Sequence, residues 1–232
     1  MKAICVSSAN DAAVAVAEYV GGSESVFAEM MNAKAKELGM ENTHFMNACG
    51  LDEENHYSTA RDVAVMSREL MKHQTVIQYT GIWTDSLRGG QTQLVNTNKL
   101  LKTYAGATGL KTGTTSGAGV CIAATAERNG MGLLAVVLGS PSSAERFVAA
   151  TRLLDYGFAN YELAQFPTVQ GLADALLVTG GVAETAALTS NAPTSVLVKK
   201  GQAAQLSAVA ELPAQLAAPV AEGQKVGEIV LS

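Results

Sequence analysis

The chain has 232 residues, 48% of them hydrophobic, and a formal net charge of −5. This length suits one large domain, or a medium domain followed by a small one, with a buried core. The acidic balance excludes the basic stripe with which proteins neutralise phosphates, so we expect no nucleic-acid partner. The longest apolar runs have the length of strands and are too short to span a bilayer.

The first predicted helix covers residues 11–20, where small and apolar residues follow one another. Ser7, Ser8 and Asn10 precede or open this run, and all three are residue types that cap helix N-termini. The run stops at Gly21, and glycine commonly ends a helix. We therefore predict a short, buried helix.

Two longer helices follow, separated by a polar loop at residues 41–57. One begins near Ser23 and stops at Gly39, with apolar residues at helical spacing along one face. The other starts after Thr59 and frays near His73. The acidic run 52–54 lies in the loop, and we interpret it as solvated loop sequence rather than as a metal site.

After Gln78 the pattern changes to shorter runs, which we predict to be strands or extended loops: residues 79–87, 93–97 and 108–114. Two apolar runs, 119–127 and 131–139, are joined through Asn129-Gly130. Asn-Gly between such runs is a strong signal for a two-residue turn, so we predict a β-hairpin there.

A helix is predicted from Ser142 and Ser143 to Tyr156, ended by Gly157. Around Phe166 the composition shifts to short alternating runs of small, β-branched and proline residues. We predict a small all-β domain there, with strands at 196–198 and 226–231. The domain boundary is predicted between residues 162 and 163.

Cysteine and histidine offer little chemistry in this chain. Cys5, Cys49 and Cys121 are odd in number and far apart, so we expect free thiols rather than a disulfide framework. The three histidines lack the paired spacing that zinc sites use. We expect neither a metal nor a cofactor.

Two short motifs point to acyl-transfer chemistry: Ser8-Ala9-Asn10 at a helix start and Lys111-Thr112-Gly113 on a predicted edge strand. They match two of the signatures that active-site serine hydrolases of the β-lactamase group carry. Each motif is weak alone, since Ser8 and Asn10 could be helix caps and Lys111 a solvated strand lysine. A serine site needs a neighbouring base and positive charge, which Ser8 and Lys111 could supply.

The wider sequence resembles the serine-type D-alanyl-D-alanine carboxypeptidases, which are low-molecular-mass penicillin-binding proteins. The matching segments, in one unbroken order, are 8–13, 42–45, 50–52, 57–62 and 111–113. The resemblance implies an α+β fold of the penicillin-binding and β-lactamase-like transpeptidase type, in which an antiparallel sheet packs with a helical region. It assigns residues 1–162 to the catalytic domain and residues 163–232 to a small all-β domain.

The resemblance also implies roles for individual residues. Ser8 would relay a proton to the departing D-alanine, Asn10 would hydrogen-bond the substrate amide, and Lys111 would supply a fixed cation. The residues implied in substrate binding are Lys111, Thr112, Gly113, Thr114 and Arg146. Arg146 would hold the terminal carboxylate, although a surface arginine in a first helical turn is the alternative.

The nucleophile motif of this family, a serine followed three positions later by lysine, is absent from the sequence. Arginine occupies that spacing after Ser58 and Ser143, and a guanidinium cannot serve as the base. In the family the motif precedes Ser-x-Asn, and no signal peptide is visible, so we expect the chain to be N-terminally incomplete and inactive alone.

The leading hypothesis is a carboxypeptidase that trims the peptidoglycan stem peptide and binds β-lactam antibiotics as the full-length protein. It would act in the cell envelope, outside the cytoplasmic membrane, with membrane association possible only through segments absent here. A β-lactamase-related hydrolase and a non-catalytic peptidoglycan-binding remnant are the alternatives.

Overall fold

The computed structural model describes residues 1–232 and divides them into two compact units, Met1–Phe158 and Ala159–Ser232. The predicted boundary, between residues 162 and 163, remains a prediction. No helix in the structure combines the length and the apolar character that crossing a membrane requires.

Helices and a three-stranded sheet build the first unit. The helices are Lys2–Ser7 (α1), Asn10–Gly21 (α2), Glu24–Glu37 (α3), Ala60–Leu70 (α4), Gln74–Thr80 (α5), Leu100–Thr103 (α6) and Ser143–Asn160 (α7). The strands are Thr84–Leu87 (β1), Thr92–Val95 (β2), Ala107–Thr115 (β3), Gly119–Arg128 (β4) and Met131–Ser140 (β5). Strands β1 and β2 form a separate hairpin, and β3, β4 and β5 form an antiparallel sheet in that order.

Strand β4 is the middle strand of this sheet, and its apolar residues form much of the core. Ile122 and Ala124 are almost fully buried, as is Leu154 of α7. Helix α4 packs against β5 and β4, while α5 and α6 pack against β3. Strand β3 therefore has a partner on one edge only, which leaves its other edge unpaired within the sheet.

Several predicted start and turn signals are confirmed. The Ser23 hydroxyl accepts a hydrogen bond from the Val26 N–H, and the Thr59 hydroxyl accepts one from the Asp62 N–H, as N-caps do. The hairpin between β4 and β5 turns at Asn129 and Gly130, which have φ angles of 52° and 76°. Both residues tolerate these left-handed angles, so the turn matches the Asn-Gly signal.

Other predictions are wrong. Ser8 does not cap α2: it ends the short helix α1, and Ala9 is the N-cap, without a side-chain cap bond. Residues 79 and 80 close helix α5 instead of opening a strand, and β1 starts only at Thr84. Gly157 does not end α7, which continues to Asn160. A Cβ at Gly157 would lie 2.4 Å from Leu133 Cδ1, so this glycine makes room for close packing inside a helix.

The second unit is built from short strands. They are Tyr161–Gln165 (β6), Val169–Gln170 (β7), Ala175–Thr179 (β8), Thr185–Ala187 (β9), Ser195–Lys199 (β10), Ala208–Glu211 (β11), Gln215–Ala217 (β12) and Glu228–Leu231 (β13). They pair in the orders β10-β6, β13-β11-β7 and β12-β8-β9. The predicted all-β character is confirmed, and the strands expected near 196–198 and 226–231 are β10 and β13.

Candidate active site

The structure brings Ser8 and Lys111 into direct contact across 103 residues of sequence. Lys111 Nζ lies 2.7 Å from Ser8 Oγ and donates a hydrogen bond to it. The same ammonium donates to the Thr112 carbonyl oxygen at 2.6 Å. The alternative of a solvated strand lysine is therefore wrong, since Lys111 is half-buried and its ammonium donates to two protein oxygens.

Ser8 reaches this position because two helices meet at a tight corner. It is the C-cap of α1 with φ 57° and ψ 42°, a left-handed conformation that is uncommon for residues other than glycine. Helix α2 begins two residues later, at Asn10. The corner thus places the Ser8 hydroxyl against Lys111 of β3. Such backbone strain is often found at functional sites.

Burial lowers the pKa of the Lys111 ammonium. The nearby Arg146 guanidinium lowers it further, whereas only the charged thiolate form of Cys5 would act in the opposite direction. Cys5 is itself buried, and burial raises its pKa, which favours the neutral thiol. A positive charge on Lys111 is thus held in a poorly solvated place, where it acts strongly on neighbouring groups.

A buried polar network holds the start of β3. The Asn98 side chain, 1% exposed, donates a hydrogen bond to the Gly109 carbonyl oxygen at 2.7 Å and accepts one from the Leu100 N–H. The Thr80 hydroxyl lies 3.0 Å from the Ile77 carbonyl oxygen of its own helix and 3.3 Å from the Thr108 carbonyl oxygen, and it shares its proton between them. A Cβ at Gly109 would lie 2.8 Å from Thr80 Oγ1, so only glycine fits. These contacts fix the position of the backbone at Gly109, two residues before Lys111.

Arg146 is buried, which rules out the surface alternative. Its Nη1 donates to the carbonyl oxygens of Gly113 and Cys121, at 3.3 and 3.0 Å, and Nη2 donates to Ser143 Oγ. Its Nε has no hydrogen-bond partner although it is fully buried. The guanidinium thus links β3, β4 and the start of α7 through hydrogen bonds.

The remaining predicted site residues lie along β3 or at the start of α2. The hydroxyls of Thr112 and Thr97 are hydrogen-bonded at 2.5 Å. Gly113 is exposed, and a Cβ there would meet no atom within 4 Å, so the face of the strand is open at this position. Thr114 is exposed and receives an Nη1 contact from Arg146 at 3.4 Å. Asn10 is exposed at the first position of α2, and its side chain makes no hydrogen bond to Ser8 or Lys111.

This arrangement combines a hydroxyl, a partly desolvated cation and an open strand edge. The hydroxyl of Ser8 accepts from Lys111, so its own proton remains available for donation to another group. An unpaired strand edge offers backbone groups to an extended peptide. Sequence reasoning did not assign any role to Asn98, because nothing in the local pattern indicates that this asparagine is buried.

The chain matches two family models. Residues 1–142 match the D-alanyl-D-alanine carboxypeptidase family, and residues 175–232 match the penicillin-binding protein 5, C-terminal domain family. The D-alanyl-D-alanine carboxypeptidase DacF of Bacillus subtilis is 40% identical over 235 residues, covering 100% of this chain and 60% of the relative. The chain thus spans about three fifths of the length of the curated relatives it matches.

Solved structures agree with these matches. Penicillin binding protein 5 from Haemophilus influenzae has a TM-score of 0.85 and 31% identity, covering 100% of this chain and 68% of that one. Penicillin-Binding Protein D2 from Listeria monocytogenes, solved in a cefotaxime-bound form, has a TM-score of 0.63 and 37% identity. That match covers 68% of this chain and 64% of the Listeria protein. The expected α+β fold with a β-rich C-terminal domain is confirmed.

Proposed function

Because the chain belongs to the D-alanyl-D-alanine carboxypeptidase family, we propose that it is part of a serine-type enzyme that removes the terminal D-alanine from peptidoglycan stem peptides through an acyl-enzyme. The observation that carries this proposal is the 2.7 Å hydrogen bond between Lys111 Nζ and Ser8 Oγ. It joins two motifs that stand far apart in the sequence into one site.

In the proposed reaction Ser8 and Lys111 serve the leaving group. When the acyl-enzyme forms, the bond to the last D-alanine breaks and its nitrogen must receive a proton. The Ser8 hydroxyl can donate that proton while Lys111 donates to the same oxygen, so negative charge does not build up on it. Because Lys111 is half-buried, its charge is poorly screened and stabilises this step.

Strand β3 would align the substrate. A peptide that pairs with its open edge would pass Gly113, where the missing side chain leaves space. Arg146 lies behind Gly113 and Thr114 and brings a buried positive charge close to the strand. A carboxylate at the end of the substrate would be attracted to this charge. Asn10, the exposed residue at the head of α2, is the proposed partner of the substrate amide.

Residues 1–232 contain no serine followed three positions later by lysine. The acylated serine of the proposed reaction would therefore be supplied by protein sequence other than these residues. We propose that the chain contributes the proton relay and the substrate strand. The enzyme would act in the cell envelope, where stem peptides are found, and would bind β-lactams, as the Listeria relative does with cefotaxime.

The protein for the test is the product of the longest open reading frame that contains this chain. The assay measures the release of D-alanine from an acetylated tripeptide that ends in D-alanyl-D-alanine. Ser8→Ala and Lys111→Ala should each lower kcat by about 100-fold or more, as expected when a proton-transfer group is lost. The matched control is Ser7→Ala, because the Ser7 hydroxyl bonds only to the Ala3 carbonyl within α1. Unchanged turnover in Ser8→Ala would overturn the assigned role.

Penicillin separates the alternatives. A carboxypeptidase should form a long-lived adduct with penicillin, whereas a β-lactamase-related hydrolase should release the opened antibiotic rapidly. A non-catalytic remnant should bind peptidoglycan fragments without turnover of either compound. Rapid hydrolysis of penicillin would contradict the proposed function and support the β-lactamase-related hydrolase. Binding of peptidoglycan fragments without D-alanine release would support the non-catalytic remnant.

A further inference from the structure

We propose that Asp52 is a positioning residue for the substrate strand: its carboxylate holds the turn that follows β3 and thereby aligns the strand for ligand pairing. The inference rests on the proposed function. Asp52 lies in the polar loop before α4, 65 residues from its partner in the turn. No part of the mechanism described above uses this residue.

The carboxylate contacts the turn at several points. Asp52 Oδ2 accepts a hydrogen bond from the Gly117 N–H at 2.9 Å. A hydrogen bond from Thr115, and then those from the Gly117 and Ser116 N–H groups, lower the pKa of the Asp52 carboxyl. The carboxylate is thus ionised at neutral pH and is hydrogen-bonded to the turn at Gly117.

Thr115 connects this contact to the strand itself. It is the last residue of β3, next to Thr114, and pairs with Gly119 of β4. Its hydroxyl accepts a hydrogen bond from the Ala118 N–H at 2.9 Å, and its interaction with the Asp52 carboxylate is the largest cause of the lowered Asp52 pKa. One hydroxyl can do both, since it carries one donor and two acceptor positions. A shift of the carboxylate would therefore be transmitted to the end of the candidate ligand strand.

Gly117 shows how closely the two segments approach. A Cβ at this position would lie 3.1 Å from Asp52 Oδ1 and 3.3 Å from Asp52 Cγ, which is tighter than ordinary van der Waals contact. Its backbone does not have a positive φ angle, so this glycine is explained by the nearby carboxylate rather than by turn conformation. Any side chain at 117 would press against Asp52.

The loop that carries Asp52 is itself anchored, so it can act as a fixed support. Asn32 of α3 exchanges two hydrogen bonds with the backbone of Phe45, both 2.8 Å long. The Glu24 carboxylate accepts from the Ala48 N–H, and Asn47 Oδ1 accepts from the N–H groups of residues 50 and 51. The helical part of the unit thus sets the position of Asp52, and Asp52 sets the position of the turn.

Asp52 is exposed, so its removal should leave the core intact and act locally. This separates a positioning role from a general structural one. Partial unfolding reduces the amount of active protein and lowers kcat at unchanged KM. A misaligned strand binds substrate less well and raises KM in a protein that still melts normally.

The experiment compares Asp52→Ala, Asp52→Asn and Gly117→Ala with the unmodified protein, again as the product of the longest open reading frame. Glu54→Ala is the matched control, because Glu54 is an exposed acid of the same loop that has no hydrogen bond or ion pair. We expect Asp52→Ala to raise KM for the D-alanyl-D-alanine peptide about tenfold, the effect of one lost charged hydrogen bond. The Gly117 amide should also exchange with solvent faster.

Asp52→Asn should retain part of the affinity, because the amide oxygen can still accept from the Gly117 N–H. Gly117→Ala should raise KM in the same direction by displacing the carboxylate. If Asp52→Ala accelerates Gly117 exchange but leaves KM unchanged, the turn does not align the strand and the inference is wrong. An unmodified protein that releases no D-alanine would instead contradict the proposed function itself.

Discussion

Asn98→Ala should destabilise the first unit strongly, although Asn98 touches no predicted site residue. The substitution removes the donor that satisfies the Gly109 carbonyl oxygen at 2.7 Å and the acceptor for the Leu100 N–H at 3.1 Å. The loss of these two hydrogen bonds, each to a buried backbone group, costs about 3 kcal/mol in total. For a chain of this size that corresponds to a melting temperature lower by about 6–12 °C.

The assay is urea unfolding followed by the fluorescence of Trp83, the single tryptophan of the chain. Trp83 lies beside this network, since its carbonyl oxygen accepts from the Asn96 N–H, so the signal reports the first unit alone. Asn42→Ala is the control, because the Asn42 side chain is exposed and only its backbone N–H bonds to Asp62. A loss below about 1 kcal/mol in Asn98→Ala would refute the argument that Gly109 depends on this side chain.

Three further outcomes follow from the structure. Because burial lowers the Lys111 pKa, the folded protein should lose this proton at a lower pH than the unfolded chain. The value of kcat/KM should therefore fall as the pH rises through this lowered pKa. Lys111→Arg should abolish that fall in the pH profile, because a guanidinium stays protonated. Gly157→Ala should lower stability in urea titrations, yet raise it by about 1 kcal/mol in a Leu133→Ala background, where the helix propensity of alanine is no longer opposed by a clash. Residues 1–232 alone should form no covalent adduct with penicillin by mass spectrometry, and any labelled serine would contradict this.

Local signals in the sequence predicted the elements whose ends depend on neighbouring residues. Ser23 and Thr59 cap helices because each hydroxyl accepts from an N–H three residues later. Asn129-Gly130 forms the hairpin turn because both residues tolerate a positive φ angle. Gly157 was misinterpreted for the opposite reason. Its small size serves contact with Leu133 of β5, and a packing requirement of that kind leaves no local pattern.

The candidate site, too, was predictable from the sequence only in part. The Ser8 and Lys111 motifs were recognisable, and their proximity was expected from family resemblance rather than from spacing. The supports of β3 were not predictable, since Asn98, Thr80 and Asp52 act through partners 11 to 65 residues away. Polar residues in such positions look like ordinary loop sequence until the fold shows what they contact.

The long sequence separation between Ser8 and Lys111 also bears on how the protein acquires its site. The β4–β5 hairpin joins neighbouring segments through a two-residue turn, so its formation closes only a small loop. The Ser8–Lys111 contact closes a loop of 103 residues and must overcome a larger loss of chain entropy. Proteins dominated by such non-local contacts fold slowly. The Ser8–Lys111 contact should consequently form late in folding, well after the local hairpin and helices.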